Sequence, residues 1–238
     1  MDSVTGEFRP FLIVIAIGLT VMASYTGLDM FTLIKKSKKN KRLLYLGGSL
    51  AMGVGIWAMN FLGLIAADIN RFSSYQIPMT ILSIFIGIAF SGMAFIPLFG
   101  KEVRSIHLVL GSFFLSIAVF SIHIISVYAM NLTIEYNVSL FVFSGLLIFG
   151  SFLFALWILF SSKTYSQGNQ TWLKPISALI ISCAIAEGHF LLNRASTIIS
   201  NNNAVNELIA TETFLVYLVL FVAILIIGGL IDSSTLIS

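Results

Sequence analysis

Seven apolar stretches, each long enough to cross a bilayer, fill most of this 238-residue chain: Phe8 to Leu33, Leu43 to Ala67, Ile77 to Phe99, Ile106 to Met130, Val138 to Phe160, Trp172 to Ala195 and Thr213 to Ile231. A span needs about 20 mostly apolar residues to cover roughly 30 Å of hydrocarbon, and only helices or closed barrels satisfy their backbone there. The runs are continuously apolar, whereas barrel strands alternate over about ten residues, so helices are expected. With 58% hydrophobic and 10% charged residues and a mean hydropathy of +1.01, a soluble fold would lack polar surface. The sequence therefore reads as an all-α membrane protein with seven transmembrane helices over residues 1–231 and a short tail, 232–238.

Basic residues in short loops stay on the cytoplasmic side. Lys35, Lys36, Lys38, Lys39, Lys41 and Arg42 fill the first loop, Lys101 and Arg104 the third, and Lys163 and Lys174 the fifth. The expected topology is N-terminus outside and C-terminus cytoplasmic, in a multi-pass protein of the cell membrane. The net charge of +3 is thus a topology signal, and the basic cluster before Leu43 suits anionic headgroups. Nothing suggests a nucleic-acid partner. The first span, preceded by acidic residues and too long for a cleavable signal, is expected to be retained. Cys183, the one cysteine, reads as a packed apolar thiol. No phosphate-binding glycine loop, His-Glu-x-x-His or nucleophile elbow is present, and no sheet is expected. The chain reads as a non-enzyme.

An internal repeat organises the even spans. Twelve positions before Asn60, His123 and His189 stand Gly48, Gly111 and Ser177; seven before stand Gly53, Ser116 and Ser182; five before stand Gly55, Ala118 and Ala184. Positions seven apart share a helix face, and small residues there let a neighbouring backbone approach. The odd spans echo one another around Ser24, Ser91 and Ser151. Three two-helix repeats plus a final helix is the simplest account. Units of two spans all point the same way, so the key residues share a depth, about seventeen residues or roughly 26 Å from the cytoplasmic start. Asn60, His123 and His189 are expected to converge in the outer leaflet.

The runs Gly53-Val54-Gly55-Ile56-Trp57-Ala58-Met59-Asn60-Phe61, Ser121-Ile122-His123-Ile124 and Ala184-Ile185-Ala186-Glu187-Gly188-His189-Phe190 resemble the three repeats of the MHYT domain, a bacterial integral-membrane sensory domain. The resemblance covers essentially the whole chain, including the Ser-Tyr-x-x-Leu-Asp pattern of span one and Ala155-Leu156-Trp157 of span five. It implies a metal site of Met and His side chains holding copper, the sensing of oxygen, carbon monoxide or nitric oxide, and output through a cytoplasmic signalling domain. The departures are specific. Asn60 replaces a His, Ile122 and Gly188 replace Met, Ile124 replaces Tyr, and the second Met of each repeat is lost at Leu64, Val127 and Leu192. What survives toward a metal is Met59, His123 and His189, with Asn60 beside them and Met130 nearby. Losing thioethers weakens the case for Cu(I), which soft ligands favour.

Plainer readings stand beside these. Either His could be a neutral interhelical hydrogen-bonder, Asn60 helix glue, and Met59 and Met130 packing. Glu187, an intramembrane carboxyl, suggests a role by its cost; two positions from His189 it faces another way, and Asn60 on a neighbouring helix is one partner within its expected reach. Asp29 reads as pairing with Lys35 or Lys36. Trp57, Trp157 and Trp172 read as packing or interfacial anchors. Three functions follow: a sensory or ligand-binding membrane module, with the bilayer and a cytoplasmic signalling partner around it and a homo-oligomer allowed; a degenerate MHYT scaffold acting as an assembly partner without metal; and a small-solute transporter, for which the parallel repeats argue poorly.

Overall fold

The computed structural model describes residues 10–37, 40–66, 76–99, 103–130, 133–161 and 172–199. Among them are six long helices: α1 (Pro10–Lys36), α2 (Lys41–Ala66), α3 (Ile77–Phe95), α4 (Ser105–Ala129), α5 (Val138–Ser161) and α6 (Leu173–Ala195). All six are long and apolar enough to cross a membrane, as the sequence led us to expect for a multi-pass membrane protein. The seventh expected span, Thr213 to Ile231, and the tail 232–238 lie outside the described residues.

Proline sets several boundaries. Pro10 opens α1, Pro78 stands in the first turn of α3, Pro175 in that of α6, and Pro97 in the 3-10 turn Ile96–Phe99 that ends α3. Each sits where a missing N–H or a broken ladder costs least. Several hydroxyls within the apolar runs are satisfied by their own helix: Thr20, Ser49, Ser112, Ser116 and Ser182 each donate to the carbonyl four residues back at 2.7–2.8 Å, whereas Ser91 and Ser177 are buried without a partner among the described residues. The bonded hydroxyls leave no bare donor in hydrocarbon at their positions.

The helices form a closed ring. Each packs on its sequence neighbours, and α6 returns to α1. Inside it α2, α4 and α6 touch one another pairwise, so the three even helices form an inner triangle and the three odd ones an outer shell. Helix α2 is the most enclosed, with 89% of its apolar window buried against 33–50% for the other five. Its small residues explain this. A Cβ on Gly53 would lie 2.5 Å from the backbone of Ile88, so α2 and α3 meet backbone to backbone, as small residues permit. Gly48 seats the ring of Phe31, which stacks on Phe95 with centroids 3.7 Å apart.

Two features were not foreseen in the sequence. Residues Thr133–Tyr136 (β1) and Ser196–Ile199 (β2) pair as a two-stranded antiparallel sheet, Thr133 opposite Ile199 and Tyr136 opposite Ser196. The ladder continues with Asn137 N–H to Ala195 C=O at 2.8 Å. Where helices end, their chains still need backbone partners, and β-branched Thr133, Ile134, Thr197 and Ile198 suit strands. Asp29 pairs with Lys174 at 2.6 Å, both side chains under a sixth exposed; the side chains of Lys35 and Lys36, its expected partners, lie outside what is described. Asp29 faces α6, and the lysine in the first turn of α6 reaches it. This ion pair and a Ser182–Ser24 contact at 3.4 Å hold the α1–α6 seam.

Candidate functional site

Asn60, His123 and His189 each stand six residues before the last residue of α2, α4 and α6, at Ala66, Ala129 and Ala195. The inner triangle therefore brings them to one level, and all three line a narrow cavity with Ile56, Val119, Ile185 and Leu192. Its volume, about 10 Å³, is near the threshold for a single water. The three side chains are at most 5% exposed.

Asn60 is the hub. Its Nδ2 donates to Ser126 Oγ at 2.7 Å, and that hydroxyl donates onward to the carbonyl of Ile122 at 2.6 Å. Its Oδ1 lies 3.4 Å from His189 Nδ1. Asn193 Nδ2, one helical turn along α6, lies 2.9 Å from Nε2 and 3.5 Å from Nδ1 of the same ring. A Cβ on Gly63 would overlap the imidazole, so this glycine makes the room in which His189 lies. His189 is thus held by both carboxamides.

His123 is the opposite case. It is 1% exposed and, among the described residues, neither of its ring nitrogens has a hydrogen-bond partner. The plain reading of His123 as an interhelical hydrogen-bonder therefore fails here. A buried imidazole without a partner forfeits hydrogen bonds that burial normally demands, so it calls for an explanation. Tyr136, on β1, lies edge-on to it with ring centroids 6.4 Å apart. The Tyr136 phenol is held above its ordinary range by burial and then by neighbouring Tyr128.

Several expectations are corrected. Met59 is fully buried, yet neither it nor Met130 lines the cavity. On an α-helix a neighbour is turned by about 100°, so Met59 faces away when Asn60 faces in. Glu187 accepts from Ser151 Oγ on α5 at 3.0 Å and does not reach Asn60, whose partners are Ser126 and His189. Cys183 is exposed on the outside of the bundle, since its face of α6 points away from the ring. Trp57 is fully buried, whereas Trp157 and Trp172 are more than half exposed, as packing and interfacial roles require.

Gly63, Ser126, Asn193 and Tyr136 went unremarked in the sequence. The first three were detectable: each lies one helical turn beyond a key residue, so carrying the repeat forward by three or four positions finds them. Tyr136 carries no such signal.

The arrangement offers two imidazoles and a carboxamide around space for one small atom. Among the described residues no group of three or more His, Cys, Asp or Glu side chains is placed to hold a metal, so a metal here would need ligands beyond the two histidines.

Comparison with known proteins shows what this chain is similar to. Residues 53–111 match the MHYT family model, described as a bacterial signalling protein N-terminal repeat. The chain is 27% identical over 191 residues to the bifunctional diguanylate cyclase/cyclic di-GMP phosphodiesterase MucR of Pseudomonas aeruginosa, covering 78% of this chain and 27% of that protein. It is 28% identical over 189 residues to the cyclic di-GMP phosphodiesterase NbdA of the same organism, covering 77% and 24%. To the signaling protein YkoW of Bacillus subtilis it is 27% identical over 197 residues, covering 80% and 24%. The chain spans about a quarter of the length of these curated relatives. No solved structure matches it. The match to the repeat, the three relatives and the parallel even helices agree in what this chain is similar to: it carries an MHYT repeat at residues 53–111 and resembles MHYT-containing bacterial signalling proteins over about four-fifths of its length.

Proposed function

We propose that the domain is a membrane sensor whose ligand, a metal ion or a small molecule bound through one, is held at His123 with His189 and Asn60. The observation that carries this is the pair of unpartnered ring nitrogens of His123 beside a water-sized cavity. Imidazole is a good ligand for copper, zinc, iron or nickel, and the absent thioethers remove the usual preference for Cu(I). His123 and His189 would hold the metal, Asn60 Oδ1 would lie beside it, and the metal would supply an open position for a diatomic gas or a change of oxidation state. His189 would have to release one of its carboxamide contacts, which couples binding to the packing of α2 against α6. Occupancy then biases the inner triangle. No catalysis is proposed for the domain itself. By likeness to the two cyclic di-GMP enzymes, the output is cyclic di-GMP turnover read on the Lys/Arg-rich side, which the charge pattern makes cytoplasmic.

Metal analysis of the purified chain tests this, with the His123→Ala, His189→Ala double variant alongside. Metal in the native chain and its loss in the variant is the expected result; equal content in both overturns it. A second reading, a scaffold without metal, is favoured by one observation: Met59 and Met130 do not line the cavity. Stoichiometric metal that raises the unfolding temperature would rule that reading out.

A further inference from the structure

The furrow between α4 and α5 is closed along one half and open along the other. Toward the β1–β2 end, Phe120 packs edge-on to Phe141 with ring centroids 5.1 Å apart, and a Cβ on Gly145 would lie 3.2 Å from the Phe120 ring. Toward the opposite end, where Arg104 leads into α4, the helices leave an apolar groove of about 360 Å³. Ser105, Leu108 and Val109 line it from α4, and Gly150, Phe154 and Trp157 from α5. Phe154 and Trp157 stack with centroids 6.3 Å apart and are both more than half exposed. Beside them, nothing lies within 4 Å of where a Cβ on Gly150 would stand.

The dimensions of the groove select its occupant. Gly150 stands eleven residues before the end of α5, about 16 Å along the axis. Half of a hydrocarbon core of roughly 30 Å is about 15 Å, so the groove runs the depth of one leaflet. Its volume spread over that length gives a section of about 20 Å². A helix about 10 Å across cannot enter such a slot; a single hydrocarbon chain can. Apolar walls left bare forfeit dispersion contacts, so filling the groove is favourable. Charge at the mouth narrows the choice further. Arg104 is exposed and has no carboxylate partner among the described residues, on the Lys/Arg-rich side that the charge pattern makes cytoplasmic.

We propose that this groove binds one anionic phospholipid of the inner leaflet, with an acyl chain lying along α5 as far as Gly150 and the phosphate meeting the Arg104 guanidinium. The planar fork of an arginine matches phosphate oxygens, and basic residues at the cytoplasmic surface attract anionic headgroups. A zwitterionic lipid brings the same chain, but its ammonium group offsets the attraction. Headgroup selectivity therefore falls to Arg104 and chain binding to the space beside Gly150. The inference is independent of what the polar cavity binds.

Trp157 fluorescence in the full chain tests it. The chain carries Trp172→Phe, leaving fully enclosed Trp57 as background, and sits in phosphatidylcholine vesicles. Phosphatidylglycerol or phosphatidylcholine with bromine on the acyl chains, a short-range quencher, is added as a minor component. Brominated phosphatidylglycerol is expected to quench at about fivefold lower content, the order set by one basic residue beside an anionic headgroup. Arg104→Gln is expected to keep the quenching and lose the preference. Gly150→Leu fills open space, so it is expected to keep the unfolding temperature and lose the tight component of quenching. If that variant fails to fold, Arg104→Gln, a change at an exposed position, decides the matter. Equal quenching by the two lipids in the native groove, or a preference that survives either substitution in a folded chain, would overturn the proposal. So would energy transfer between labelled copies that Gly150→Leu abolishes, since a second copy would then cover the groove.

Discussion

Gly63→Ala is the sharpest perturbation of the polar node. The added methyl would overlap the His189 ring, and the cavity that the ring lines holds only about 10 Å³. To make way, the imidazole must tilt and give up the contacts to Asn193 at 2.9 Å and Asn60 at 3.4 Å. Two such bonds are worth about 1 kcal/mol each, overpacking adds about 1–3 kcal/mol, and alanine returns about 1 kcal/mol of helix propensity. The net loss is about 2–4 kcal/mol, or roughly 6–12 °C for a domain of this size. Thermal unfolding in detergent measures it, with Gly18→Ala as control, since nothing lies within 4 Å of a Cβ there; the control should hold its melting temperature or gain slightly. The decisive measurement is a double-mutant cycle. With His189→Ala already in place the methyl at Gly63 has space, so its penalty should vanish, giving a coupling of about 3 kcal/mol. If Gly63→Ala costs the same with and without the imidazole, the account of this glycine is wrong.

Lys174→Met leaves Asp29 poorly solvated at the α1–α6 seam and is expected to cost about 1–3 kcal/mol by heat unfolding; the exchanged pair Asp29→Lys, Lys174→Asp should regain more than half, and no recovery would argue against the pair. For Tyr136 the folded phenol titrates above its unfolded value, so its contribution is complete below that unfolded value, about 10, and is lost as pH rises through the folded one. Stability is expected to hold up to about pH 10 and then fall, and Tyr136→Phe should flatten the alkaline limb; an unchanged limb would show that another group controls it.

The helices and their common level were legible because hydrophobic length and the spacing of Gly48, Gly53 and Gly55 are local properties of the chain. The meeting of Asn60, His123 and His189 was legible for a related reason: parallel repeats of equal length place equivalent residues at one height. Partnerships were not. Asp29 finds Lys174, 145 positions away, and no local pattern distinguishes that lysine from Lys35 or Lys36. Glu187 turns to Ser151 on the outside because its rotation about α6 is fixed by which face is buried. The strands were missed because four residues are too few to show an alternating period, and they form only when the ends of α4 and α6 lie side by side.

That small sheet has a mechanical consequence. It follows closely on Ala129 and directly on Ala195, so it clamps two stiff rods at one end, and any tilt of α4 against α6 must pivot there. His123 is about 9 Å from the pivot and Ser105 about 36 Å, counting 1.5 Å per residue. A nudge of 1 Å at the imidazole then becomes a swing of about 4 Å at the far end, a lever ratio set by nothing more than where the histidine falls along its helix.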